Sequence, residues 1–321
     1  MSFQANYNCM LASVYNVMTC NHQYRFEFES MVMQQQMFHV YYRDHFLLPE
    51  SPEVTIDRFV AQAGARIVYP EVGDVYGAIR FADQRLQLGE IVPVNINLRY
   101  DILDPLPFDN DIMHYHLIVG RLDEDHYEMF DQFENERYQV RISHLQKAID
   151  TPFNYRFGTG FTPFLCIEYE LDTKSVQQRL QTASVDASTY TGIVQAYPLA
   201  HNLREGRAYA ESFMQFADRK PDAMEKYKYS NFHDVISRSR MIFVEAMSRL
   251  GYPHAEHLHR LTELHLTFKN MLGIALVRRS PQDLQQITDK LEQMFLDEHH
   301  LLMEMGSYVE NTILKERSCL P

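Results

Sequence analysis

The chain has 321 residues, 45 % of them hydrophobic, enough apolar material for two ordinary domains or one large one, and it holds no apolar run long enough to span a bilayer. Its net charge of −13 sits wholly in the first part: residues 1–172 carry 12 Lys+Arg against 25 Asp+Glu, while residues 173–321 carry 18 of each. An acidic first part argues against nucleic acid, which needs a basic surface; solubility alone accounts for most of such a charge, and beyond that it favours a cationic small molecule by steering.

The expected elements follow in chain order. The run Asn8-Cys9-Met10-Leu11-Ala12-Ser13-Val14-Tyr15-Asn16-Val17-Met18 opens a helix, with Asn8 as N-cap and Cys9 in the first turn. The spacing predicts a helix end at 20–23, a second helix over 27–40, a loop at 47–50, and a helix from Pro52 to about Gly64, with Ser51 as its cap. A short strand over 66–70 and a helix over 74–86 come next. The period then changes to two. Strands are expected at 91–97, 114–122, 127–133 and 137–142, with a Pro- and Asp-rich loop at 101–111. Ser143 caps a short helix to Ile149, and 161–171 is a last strand. The remainder reads as helices over 175–183, 204–217, 223–250, 255–276 and 283–315. The fold class expected is α+β, with an N-terminal domain of helices plus antiparallel sheet over 1–172 and an all-α domain over 173–321.

Cys9 lies where the free N–H groups and the positive end of the helix dipole stabilise a thiolate. Such a nucleophile needs a base, and a group that orients the base. If the hairpin after Leu122 turns at Asp123-Glu124, His116 and Asp131 stand opposite each other on one sheet face, at the cross-strand spacing of about 4.5–5.5 Å. His116 is therefore the favoured base. His114, two residues earlier on the same face, falls opposite Phe133 in this register and is the alternative base. For the oxyanion, the backbone N–H of Cys9 is one donor and a side-chain amide of Gln4, Asn6 or Asn8 the other, with Gln4 preferred. Cys20, Cys166 and Cys319 read as unreactive. The four cysteines follow neither disulfide nor zinc-ribbon spacing and suit a reducing cytoplasm; no basic-then-apolar leader is visible.

Cys at a helix start, His on a strand and Asp on the next strand is the order of papain-like cysteine enzymes. His116-Leu117-Ile118-Val119-Gly120 followed by Phe130-Asp131 resembles the His and Asp motifs of bacteriocin-processing peptidases in that superfamily. In many of those the oxyanion Gln stands six residues before the Cys, where this chain has Phe3. Asn8-Cys9, the His116/Asp131 hairpin and the helical second part together resemble the butirosin biosynthesis protein H family. That resemblance implies a papain-like acyltransferase of secondary-metabolite biosynthesis. It would take an acyl group from an acyl carrier protein's thioester through a Cys9 acyl-enzyme to an amine, such as an aminoglycoside or polyamine. It also implies no cofactor of its own, because phosphopantetheine belongs to the carrier. A docking patch for the carrier is sought among Arg204/Arg207, Arg219/Lys220/Lys226/Lys228 and Arg278/Arg279.

Three other readings stand beside this one. A cysteine hydrolase or peptidase would use the same triad with water as acceptor. Glu256-x-x-His259 and Asp297-x-x-His300 have the spacing of carboxylate-bridged di-iron bundles. A non-catalytic binding module would use Cys9 as a small buried apolar residue. The Met-rich helical segments are read as core, with a face between copies of the chain as the other option.

Overall fold

The computed structural model describes residues 3, 9–28, 31, 38–43, 46–49, 52–100, 113–132, 134–156, 160–182, 197–218, 236, 240–241, 243–245, 247–248, 252–278 and 281–308. It combines helices with antiparallel sheets, an α+β architecture. In chain order the elements are α1 (Cys9–Asn16), a π-helical turn (Val17–Asn21), β1 (Val40–Arg43), β2 (Phe46–Pro49), α2 (Pro52–Gln62), β3 (Ala65–Val68), α3 (Val75–Gln87) and β4 (Val92–Asn97). Then come β5 (Met113–Arg121), β6 (His126–Asp131), β7 (Glu136–Arg141), α4 (Ile142–Ile149), β8 (Tyr155–Arg156), β9 (Gly160–Phe161), β10 (Cys166–Tyr169) and α5 (Thr173–Thr182). The chain ends in α6 (Leu199–Asp218), α7 (Ala255–Arg278) and α8 (Pro281–Tyr308). No described helix is long and apolar enough to cross a membrane.

These elements form two compact units, Met1–Phe28 with Ile56–Ser184, and Glu29–Thr55 with Val185–Pro321. The boundary expected at 172 thus moves to about 184, and residues 29–55 leave the first unit. The reason is the β1–β2 hairpin. The chain expected to be helical to 40 turns into a strand at Val40, and the expected loop at 47–50 pairs with it, Val40 opposite Pro49. Side chains of α6 satisfy this hairpin's polar edge. The fully buried Asn202 accepts from the Val40 N–H at 3.2 Å and donates to the Phe38 carbonyl at 2.7 Å. Glu205 accepts from the Tyr42 N–H at 3.0 Å. Val40 and Leu47 then join Phe213, Phe268, Leu272, Leu291 and Phe295 in one core. An open edge strand with a buried face has to be covered in this way.

The first unit is built on a four-stranded antiparallel sheet in the order β4-β5-β6-β7. Asp74 caps α3, its carboxylate accepting from the Gly77 N–H at 2.6 Å. Val92, Val94 and Ile96 of β4, Ile118 of β5, Tyr127 and Met129 of β6 and Val140 of β7 bury one sheet face with Ala78 and Ala82 of α3. Each large aliphatic side chain so buried stabilises the unit by roughly 1.5–3 kcal/mol. The strand expected over 161–171 is broken into β9 and β10, with Pro163 between them. Proline lacks the N–H that a continuous ladder requires.

The β5–β6 hairpin reaches the expected register by a different route. The expected tight turn pairs Leu122 with Asp125, but the Leu122 N–H bonds the His126 carbonyl instead, one residue later. Arg121 accordingly faces Tyr127 and Gly120 faces Glu128. An irregularity between Ile118 and Gly120 absorbs the extra residue, so that Ile118 faces Met129 and Leu117 faces Phe130. Beyond it the inward histidines come beside Asp131.

Candidate active site

Three elements of the first unit meet here: the start of α1, the start of β5 and the end of β6. The cysteine helix is fixed from behind. Met10, Leu11 and Val14 are buried, and the Ser13 hydroxyl and Gln132 amide hydrogen-bond at 2.9–3.0 Å, both wholly buried. The π-helical turn after α1 ends on Asn21, whose side chain pairs with both backbone groups of Ile91 at 2.8 and 2.9 Å. That pairing anchors α1 at the head of β4.

Cys9 is partly exposed, and its Sγ accepts from the Tyr115 N–H at 3.4 Å. It also shares a side-chain hydrogen bond with His114. His114 Nε2 stands 3.6 Å from one oxygen of Asp131, and His116 Nε2 stands 3.8 Å from the other. The two imidazoles meet edge to face, with centroids 4.9 Å apart. His116 is fully buried, and its Nδ1 is 2.7 Å from the Tyr138 hydroxyl on β7.

The charge distribution follows from these contacts. Burial alone would raise the Cys9 thiol, but the His114 charge and hydrogen bond, with the Tyr115 N–H, outweigh it and hold the thiol below its ordinary value. Burial alone would likewise discharge His114. The Cys9 thiolate and the Asp131 carboxylate overcome that and raise His114 to about 10. His116 goes the other way: burial, then the neighbouring His114 charge, push it down to about 3. Together these contacts favour a thiolate–imidazolium pair on a carboxylate, with a neutral histidine beside it. The other described cysteines contrast with Cys9. Burial raises Cys20 and pushes Cys166 up to about 11.

The residues expected at the site therefore assemble, with one exchange of roles. The imidazole on Cys9 is His114, the alternative base, whereas His116, the favoured one, turns to Tyr138 and Asp131. The expected register set His114 aside because it extended β6 to Phe133. β6 ends at Asp131, so the carboxylate at the strand end reaches both histidines. Phe133 and the oxyanion candidates Gln4, Asn6 and Asn8 lie outside the described residues, as does Cys319. Phe3 packs on Phe130 at 5.1 Å, with the Arg137 guanidinium over its ring. Sequence reasoning missed Tyr138 and Gln132. The period-two pattern of 136–141 put Tyr138 on a sheet face, but only the β6–β7 register assigns it to His116.

The other expected sites do not come together. Among the described residues the helical unit brings no three His, Cys, Asp or Glu donors within reach of one ion. The exposed Glu256 meets His254, and His259 meets Glu263, 60 % exposed, so the di-iron spacing leads to surface pairs. Of the basic candidates, Arg204 bonds His201 and Glu205, and Arg207 bonds Glu292. Arg219, Lys220, Lys226, Lys228 and Arg279 lie outside the described residues. Compared with known proteins, the chain matches no family model and no curated sequence.

Proposed function

We propose that the first unit is a cysteine acyl-transfer enzyme of papain-like arrangement, with Cys9 as nucleophile, His114 as acid and base, and Asp131 as the group that orients His114. The observation that supports this most is the sharing of one imidazole, His114, between the Cys9 sulfur and the Asp131 carboxylate. That is what a nucleophile, base and orienting group need.

In this reading the Cys9 thiolate attacks the carbonyl carbon of a carrier-bound thioester. The pantetheine sulfur leaves and takes the proton from the His114 imidazolium, which leaves an acyl-enzyme and a neutral imidazole. An amine then attacks the acyl carbon, His114 accepts its proton, and Cys9 leaves again as thiolate. The net change is one thioester exchanged for one amide. The excess of 25 Asp+Glu over 12 Lys+Arg in residues 1–172 favours a cationic acceptor of the aminoglycoside or polyamine type. The partner supplying the acyl group would be an acyl carrier protein bearing its own phosphopantetheine. Hydrolysis by the same three residues is the second reading, and it differs only in water taking the place of the amine.

Intact-mass spectrometry after incubation with an acyl-pantetheine thioester tests this. The expected result is one acyl group on the wild type, none on Cys9→Ala, and discharge by added polyamines. Discharge by water alone would favour the hydrolase. An absence of adduct with a series of acyl thioesters would overturn both.

A further inference from the structure

We infer that His116 and Tyr138 are positioning residues for the reaction: Tyr138 fixes the His116 imidazole, and His116 fixes the Asp131 carboxylate that His114 faces. The inference adds two side chains to the Cys9–His114–Asp131 reading and rests on that reading for its effect on acyl transfer. Its central claim, the protonation and orientation of His116, is measurable without any turnover.

His116 is fully buried, and none of the acyl-transfer steps uses its ring. Both of its nitrogens are nevertheless aimed at polar groups. Nδ1 lies 2.7 Å from the Tyr138 hydroxyl, and Nε2 stands 3.8 Å from one oxygen of Asp131, a charge–dipole contact longer than a hydrogen bond. The Tyr138 ring stands upright on the imidazole, at 89°. A neutral imidazole offers one N–H and one lone pair, whereas an ionised carboxylate only accepts. A lone pair on Nε2 would face that negative oxygen. The N–H therefore belongs on Nε2, and the Nδ1 lone pair accepts from the Tyr138 hydroxyl. The opposite tautomer would keep the tyrosine contact but set two lone pairs against each other. A hydrogen bond to the neutral ring also disfavours its protonation. Tyr138 thus acts in the same direction as burial and the His114 charge, which both hold His116 neutral.

The Asp131 oxygens are divided as a result. Oδ1 accepts from the Glu134 N–H at 3.3 Å and stands 3.6 Å from His114 Nε2, and Oδ2 faces the His116 N–H. The last torsion of an aspartate is soft, so a carboxylate at a strand end needs outside groups to hold its plane. His116 and Tyr138 supply them from β5 and β7, the two strands that flank β6. Strands of one sheet hold a functional group more closely than loops do. Because His116 presents a dipole and no charge, the carboxylate charge is left to the His114 imidazolium.

The test uses the full chain and long-range proton–nitrogen correlation spectra, which distinguish the two neutral tautomers from each other and from the imidazolium. Wild-type His116 should be neutral at pH 7 with its proton on Nε2. The proton affinity of His114 should fall at least about threefold in Tyr138→Phe and in His116→Leu, and His116→Gln, which can again offer an N–H to Asp131, should recover most of the loss. His114 stays charged at pH 6 in all three, so Cys9 alkylation there should change by less than about threefold. Acyl loading from an acyl-pantetheine thioester should slow at least about tenfold in Tyr138→Phe, because the misaligned imidazolium delivers its proton poorly. A merely structural role would lower the melting point and leave the proton affinity of His114 where it is. A wild-type His116 that is charged or carries its proton on Nδ1 would overturn the inference, as would an unchanged His114 proton affinity in Tyr138→Phe. Either outcome leaves the transferase reading in place, whereas the expected tautomer without any acyl loading of wild type would remove the transferase reading alone.

Discussion

Replacing His114 and His116 one at a time separates the two roles. An ordinary thiol, with a pKa of about 8.5, is about 0.3 % ionised at pH 6. A thiol held ionised at that pH therefore carries about 300 times more thiolate. Nucleophilicity falls with basicity along a Brønsted slope of about 0.4–0.5, so roughly half of that gain is returned on a logarithmic scale. What remains is about tenfold to twentyfold in alkylation rate at pH 6. In His114→Ala the counter-charge and hydrogen bond that lower the Cys9 thiol are gone, while the burial that raises it persists. A slower reaction is expected, with that tenfold to twentyfold as the upper bound of the loss. In His116→Ala the Cys9–His114 pair is intact, and the rate should change by less than about threefold. The assay is stopped-flow or timed alkylation with mass-spectrometric readout at Cys9, with the melting point of each variant checked. If His116→Ala slows the reaction as much as His114→Ala, or if His114→Ala has no effect at pH 6, the assignment of the pair is wrong.

The same pair should shape stability against pH. His114, raised to about 10, holds its extra stability in full below its unfolded value of about 6.5 and loses it as pH rises to about 10. Cys9, lowered, holds its share above an unfolded value of about 8.5 and loses it as pH falls through its folded value. The stability difference between wild type and Cys9→Ala, measured by urea unfolding, should thus decline as pH rises from about 8.5 to about 10, where the Cys9 share is complete and the His114 share is being lost, and should decline again on acidification through the folded Cys9 value. In the helical unit, Glu298 is wholly buried between Arg240 at 2.7 Å, His265 at 2.7 Å and Tyr197 at 2.6 Å. Glu298→Gln leaves the buried Arg240 charge uncompensated and should cost about 3–5 kcal/mol, read by denaturant unfolding. Burial opposes the Glu298 charge, but Arg240 and His265 hold the carboxyl far below its usual range, so its stabilisation is present above about pH 4.3 and fades on acidification. Gly64 has φ +78°, and an added methyl would overlap the Leu171 side chain, so Gly64→Ala should lower stability by roughly 1–2 kcal/mol in the same assay.

Much of the first unit was legible because its signals are local. Asp74 before an apolar-periodic stretch reads as a cap, and it is one; the alternation after Ile91 reads as strands, and β4 to β7 follow it. The β1–β2 hairpin was not legible. Met- and Gln-rich spacing over 27–40 carries a helical period, and the strand at Val40 depends on Asn202 and Glu205, more than 160 residues away. Pairing over such a distance leaves no trace in a sequence window. The hairpin register was legible only by compensation. A turn one residue longer than expected and an irregularity near Val119 cancel, and neither has a strong sequence signature.

The exchange of His114 for His116 has a single physical origin. A strand repeats every two residues, so His114 and His116 share a face, and hairpin register alone cannot rank them. A carboxylate at the end of β6 reaches both, which removes the one criterion the hairpin offered. The ranking comes from outside the pair. On one side α1, held by Ser13–Gln132 and Asn21–Ile91, brings the Cys9 sulfur to the start of β5, at the Tyr115 N–H. On the other side β7 brings Tyr138 to His116. The two imidazoles are thus differentiated by the third element each one meets. A thiolate neighbour makes His114 a cation, and a cationic neighbour in a buried setting makes His116 neutral. Exchanging the neighbours should exchange the charges, so the His114 charge belongs to the position of α1 more than to the histidine itself.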